Sequence, residues 1–222
     1  MTLDDIGLIA QPPEAPEPYK PLHSQARCVC ALVRRFLPRI RNEQAWKINV
    51  YLRSDAGERQ VETYNGITSI CLKRDIEGFF ALNDADKKRF AYEALREGAE
   101  IVSDHHGWPT QEILEAFDKA LLEDLVNEWK FQPKWSPSRK HRAYVKCSFE
   151  TDRFRAWMHV EGRDGQLLAE RFLFEEVPDE YCIFPLLGKV RWIDKMTVRL
   201  LDRSGEAVGE DLQIRLEEVP AT

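Results

Sequence analysis

No apolar run in this sequence approaches the roughly 20 residues that would span a bilayer, which excludes a transmembrane helix. Asp4 and Asp5 stand where a secretory leader would carry Lys or Arg, and no sustained apolar segment follows them. A cytoplasmic location is the expectation. Cysteine is scarce and scattered: Cys28, Cys30, Cys71, Cys147 and Cys182 are odd in number, which is not a secreted disulfide framework. They are expected to be small buried residues kept reduced. Cys28-x-Cys30 has no second close Cys/His pair and so lacks the ligand spacing of a zinc site. Nucleophile and phosphate-binding signatures are also missing. There is no GxSxG elbow, no Walker loop and no HExxH helix, and the glycines stand singly. No cofactor is predicted, and the chain carries no family signature.

The 222 residues suffice for one large domain or two small ones. With 32% charged and 10% aromatic residues, the composition is that of a globular protein. The charge is uneven. Residues 75–130 hold 14 acidic against 6 basic side chains, whereas residues 131–163 hold 8 basic against 3 acidic.

The clearest pattern is a pair of helices between Asn83 and about Lys130. Asn83 or Asp84 can cap the first, and Asp84 and Asp86 favour its N-terminus. Phe90, Ala94, Leu95, Ile101 and Val102 recur at helical spacing, with Gly98 on the same side as the mark of a close crossing. His106-Gly107 ends it. The second helix starts at Thr110. Its apolar stripe is Ile113, Leu114, Phe117, Leu121, Leu125 and Trp129, with Glu112, Glu115, Lys119, Glu123 and Asn127 opposite.

Residues 1–22, with Pro12, Pro13, Pro16, Pro18 and Pro21, read as a Pro-rich arm with too little apolar surface to pack. Residues 24–37 fit either a buried strand, from the apolar run Cys28 to Val33, or a helix capped by Ser24 and ended by Pro38, and the helix is favoured. Trp46 to Arg53, Gln60 to Tyr64 and Ile67 to Lys73 read as a short antiparallel meander, with Asn65-Gly66 as a hairpin turn. After Trp135, strands are expected at Arg142–Glu150, Arg153–Val160, Gln166–Glu175, Tyr181–Leu187, Lys189–Ile193, Met196–Leu201 and Leu212–Leu216. The fold class is therefore α+β. An arm at 1–22 precedes an α+β unit at 23–133 with an acidic helical hairpin, and a mainly antiparallel, sandwich-like unit at 134–222 follows or continues it.

Four constellations could carry chemistry or binding. Asp104-His105-His106 is the densest ligand cluster and the basis of a hydrolase or metal-enzyme reading. Neighbours on a helix point about 100° apart, however, and histidine at a helix C-terminus is favourable in its own right. Arg153, Arg155 and Trp157, with His159, share one strand face that could meet an acidic partner or stack bases. The pI near 5.5 and the acids around that face argue against nucleic acid. Glu175-Glu176 point to opposite sides of a strand and do not form an acid–base pair. Glu112, Glu115 and Glu123 share one side of the second helix, with Trp108 beside them, and are the expected partner-binding surface. The function expected is a non-enzymatic protein-binding module. Its most concrete form is an immunity protein that caps a basic toxin domain; an accessory or scaffold subunit is a further alternative.

Overall fold

A computed structural model describes residues 1–11, 20–57, 59–209 and 213–216 of the chain. Among the described residues the architecture is α+β, with five helices and four sheets, and no described helix is long and apolar enough to cross a membrane. The chain divides into two compact units, Met1–Asn127 and Glu128–Thr222.

In the first unit the elements run β1 (Thr2–Leu3), β2 (Asp5–Ala10), α1 (Lys20–Phe36), β3 (Ile40–Arg41), β4 (Lys47–Arg53), β5 (Val61–Tyr64), β6 (Ile67–Lys73), α2 (Ile76–Phe79), α3 (Asp84–His106) and α4 (Thr110–Leu122). The main sheet has the order β2-β4-β6-β5. Here the arm expectation is corrected. Residues 2–10 are strands, and β2 lies parallel to β4 with Ile6 opposite Ile48 and Leu8 opposite Val50. Leu3, Ile6, Leu8 and Ala10 are all buried. The rest of the Pro-rich tract, residues 12–19, lies outside the described residues.

The meander is corrected as well. β4 pairs with β6 in parallel, and β5 is antiparallel only to β6. The turn between β5 and β6 is Asn65-Gly66, both at positive φ (49° and 76°), as a two-residue hairpin of this twist requires. Parallel neighbours need a crossover. α1 supplies it between β2 and β4, and the β5 excursion supplies it between β4 and β6. α1 begins earlier than expected, so Ser24 sits inside it. Pro21 falls in the first turn, where a missing N–H does no harm.

Ile48, Val50 and Leu52, with Ile70 and Leu72, form the buried side of the sheet. α3 packs across β6, β4 and β2, and α1 and α4 pack on α3. Asn83 Oδ1 accepts from Asp86 N at 3.0 Å, and Gly107 closes the helix at φ 65°. Gly98 marks where α3 meets the sheet: a Cβ there would stand 2.4 Å from Val50 Cγ2. α4 stops at Leu122, short of the expected Lys130, because Asp124 and Leu125 turn left-handed (φ 51° and 55°). Phe117 is fully buried, but Leu121, which was expected on the same stripe, is 37% exposed.

The second unit runs β7 (Asn127–Trp135), β8 (His141–Phe149), β9 (Phe154–Gly162), β10 (Leu167–Glu176), α5 (Glu180–Leu186), β11 (Lys189–Trp192), β12 (Thr197–Leu201) and β13 (Ile214–Arg215). β7 begins at the last residue of the first unit. One sheet has the order β10-β9-β8-β7 and the other β11-β12-β13; the pairs β8–β9, β9–β10, β11–β12 and β12–β13 are antiparallel. Ala143, Val145, Cys147 and Phe149 of β8, with Phe154, Ala156, Met158 and Val160 of β9, form its buried side. The strand expected over Tyr181–Leu187 is instead α5, started by Asp179, whose side chain accepts from Tyr181 N at 2.9 Å. Leu212 lies outside the described residues.

Candidate functional site

The two rings of the Asp104-His105-His106 cluster touch edge-on with centroids 5.0 Å apart, but Asp104 and His106 are engaged with other partners. Asp104 Oδ1 accepts from Thr110 Oγ1 at 2.6 Å, tying the end of α3 to the start of α4. His106 Nε2 lies 3.2 Å from Thr68 Oγ1 on β6, and its ring stacks on Trp108 with centroids 4.8 Å apart. Among the described residues, no three His, Cys, Asp or Glu side chains are placed to hold a metal ion. Trp108 is only 8% exposed, and its Nε1 donates to Gln44 Oε1 at 3.2 Å. It fastens the turn and does not present a surface.

Arg153, Arg155 and Trp157 do lie along one face at the start of β9, but their charge is met internally. Arg155 Nε donates to Glu175 Oε2 at 2.8 Å, and Arg153 pairs with Asp152 and Glu175. Trp157 packs edge-on against Phe172 of β10. The same face carries a network that the sequence did not single out. Tyr144 donates its hydroxyl to Glu161 at 2.6 Å, and Lys130 Nζ reaches the same carboxylate at 2.7 Å. His159 is 7% exposed, with Nδ1 3.3 Å from the Tyr144 hydroxyl. Its Nε2 lies 2.7 Å from Glu170 Oε2 without the alignment of a hydrogen bond. Alternation along β8 and β9 could have grouped these residues, but only once the register was known.

Burial pushes the His159 imidazole below its ordinary value, outweighing the opposite pull of Glu170, which is half in solvent. Burial, then the charge of His105, lowers His106 in the same direction. Both rings are therefore favoured neutral in the folded chain. They contribute stability that is present above their unfolded value of about 6.5 and lost as pH falls through their lower folded values. Urea midpoints are expected to decline as pH falls from about 7 through the imidazole range, and His159→Gln should flatten part of that decline. A wild-type midpoint constant over this range would show that neither ring is held neutral.

On the first unit, a depression of about 430 Å³ is lined by Gln11, Tyr51, Arg53, Gln60, Glu62, Ser69 and Cys71 among others. Arg53 is already clamped to Asp55 at 2.9 and 3.0 Å, and burial pushes the Cys71 thiol up, away from the thiolate form.

The outer side of α4 carries a run of exposed acids. Glu112, Glu115, Asp118 and Glu123 are exposed, as are Lys119 and Asp124. No ion pair among the described residues involves any of them. Elsewhere, carboxylates such as Asp5, Glu97, Glu161 and Glu175 each hold one or two cations. No known family model, curated protein or solved structure matches the chain. Geometry and charge therefore carry the functional reading.

Proposed function

We propose that the chain is a non-enzymatic protein-binding module whose acidic helix α4 captures a basic protein partner. Its most concrete form is an immunity protein that neutralises a cognate toxin domain from inside the cytoplasm. The observation that carries this reading is the set of unpaired carboxylates along one helix, Glu112, Glu115, Asp118 and Glu123, opposed by Lys119 alone. Unpaired like charges on one face repel one another and are solvated at little gain to the fold. They produce a field that speeds the approach of an oppositely charged surface. A basic nuclease domain suits such a face, because the carboxylates stand in for phosphates.

The test compares two variants once a partner has been isolated. Replacing Glu112, Glu115 and Glu123 together by Lys is expected to slow association at low salt by roughly tenfold or more, with the melting temperature nearly unchanged. Arg153→Glu with Arg155→Glu should leave association at the wild-type rate. The reverse pattern would place the partner on β9 and make it acidic.

A further inference from the structure

The same helix ends in an apolar tip that the acidic face alone does not explain. Leu122 is 85% exposed, Leu121 37% and Val126 42%. Three large apolar side chains thus reach solvent within six residues, among Asp118, Glu123 and Asp124. Isolated exposed leucines need no explanation, but a group of them among mostly acidic side chains does.

The tip is rigid. Asp124 N donates to Leu121 O at 2.9 Å, Leu125 N to Ala120 O at 3.1 Å and Val126 N to Glu123 O at 2.8 Å. Leu125 is driven inward and is 5% exposed. Asn127 follows, 1% exposed, with Nδ2 donating to Cys28 O at 2.8 Å and Oδ1 accepting from Arg35 at 2.9 Å. Leu122 therefore stands on a support fixed on its C-terminal side by two buried anchors. A side chain held this way loses little further freedom when it is covered.

Resting on the reading of α4 as the capture face, we infer that Leu122, flanked by Leu121 and Val126, is the apolar anchor of the interface. The partner it fits is a protein surface with an apolar notch ringed by Lys and Arg. The carboxylates orient the encounter, and the tip then sets the dissociation rate. That division of labour matches a desolvated centre within a polar rim.

Two synthetic peptides of equal charge test the inference against the isotope-labelled full chain: an amphipathic helix of leucine and lysine, and the same sequence with serine in place of leucine. Amide shifts caused by the leucine peptide should centre on residues 118–126, and the serine peptide should bind roughly tenfold more weakly or worse. Leu122→Asp adds a negative charge, so electrostatics alone would tighten binding of a cationic peptide. The anchor instead requires it to weaken the leucine peptide by about tenfold or more. Leu168→Asp, at an exposed site on β10, should change nothing. If the triple Glu→Lys variant weakens both peptides while Leu122→Asp binds like wild type, the anchor is wrong and the acidic face stands. If neither variant matters, or if the shifts scatter over both units, both readings fall.

Discussion

Gly98→Val is expected to destabilise the first unit by about 3 kcal/mol or more, at the upper end of the range for overpacked cores. The reason is the backbone of α3 lying against the sheet. Even a Cβ alone would meet Val50 Cγ2 at 2.4 Å, Val50 Cγ1 at 3.0 Å and Ile70 Cγ2 at 3.3 Å. Both partners are essentially fully buried, so neither has space to yield. Gly98→Ala sets the same clash against the roughly 1 kcal/mol that alanine gains over glycine in a helix. The clash should win, leaving a loss of about 1–2 kcal/mol. Combining Gly98→Ala with Val50→Ala removes the offending methyls. The double variant should be more stable than the sum of the two single losses predicts, by about 1 kcal/mol or more. Strictly additive losses in urea melts would mean that α3 does not approach the sheet at this point.

Deleting residues 1–10 should have the larger effect. It removes β1 and β2 whole, with Leu3, Ile6, Leu8 and Ala10, and exposes one edge of β4. Each large apolar side chain contributes about 1.5–3 kcal/mol on burial, so Leu3, Ile6 and Leu8 together approach the whole stability of a typical domain. The truncated chain is expected to lose the cooperative unfolding of its first unit. Leu8→Ala, a milder form, should cost about 2–5 kcal/mol. Retention of the wild-type urea midpoint by the truncated chain would show that β2 is dispensable, as the proline content beside it suggests.

That contrast shows what the sequence carried. The caps and periodicity of α3, the turn at Asn65-Gly66 and the strands at β8 to β10 are written in local residue chemistry, and local chemistry was enough to find them. β2 was missed because its alternation of Ile6, Leu8 and Ala10 is short and abuts a Pro-rich tract. The parallel order β2-β4-β6 was missed because alternation fixes a strand's buried side and not its neighbour. Tyr181–Leu187 is a short apolar run of the kind that periodicity cannot assign to helix or strand. Trp108 looked like a surface residue in a polar turn, and only the fold brings Gln44 to it. Among the candidate residues, the exposure of Glu112, Glu115 and Glu123 was legible from their helical spacing. The exposed tip was not, since it depends on α4 stopping at Leu122.

The parallel pairing of β2 with β4 also bears on how quickly the chain folds. Leu8 and Val50 are opposite one another but 42 positions apart in sequence, whereas the β5–β6 hairpin closes through two residues. Closing the longer loop loses more chain entropy before any contact compensates, and topologies rich in such contacts fold slowly. The hairpin is able to form within microseconds, and α1 sooner still. β4 must wait for β2 with one backbone edge open. Until that edge is closed, a second unfinished chain is as good a partner for it as β2. The refolding yield of this protein should therefore depend on chain concentration at early times, before β2 is in place.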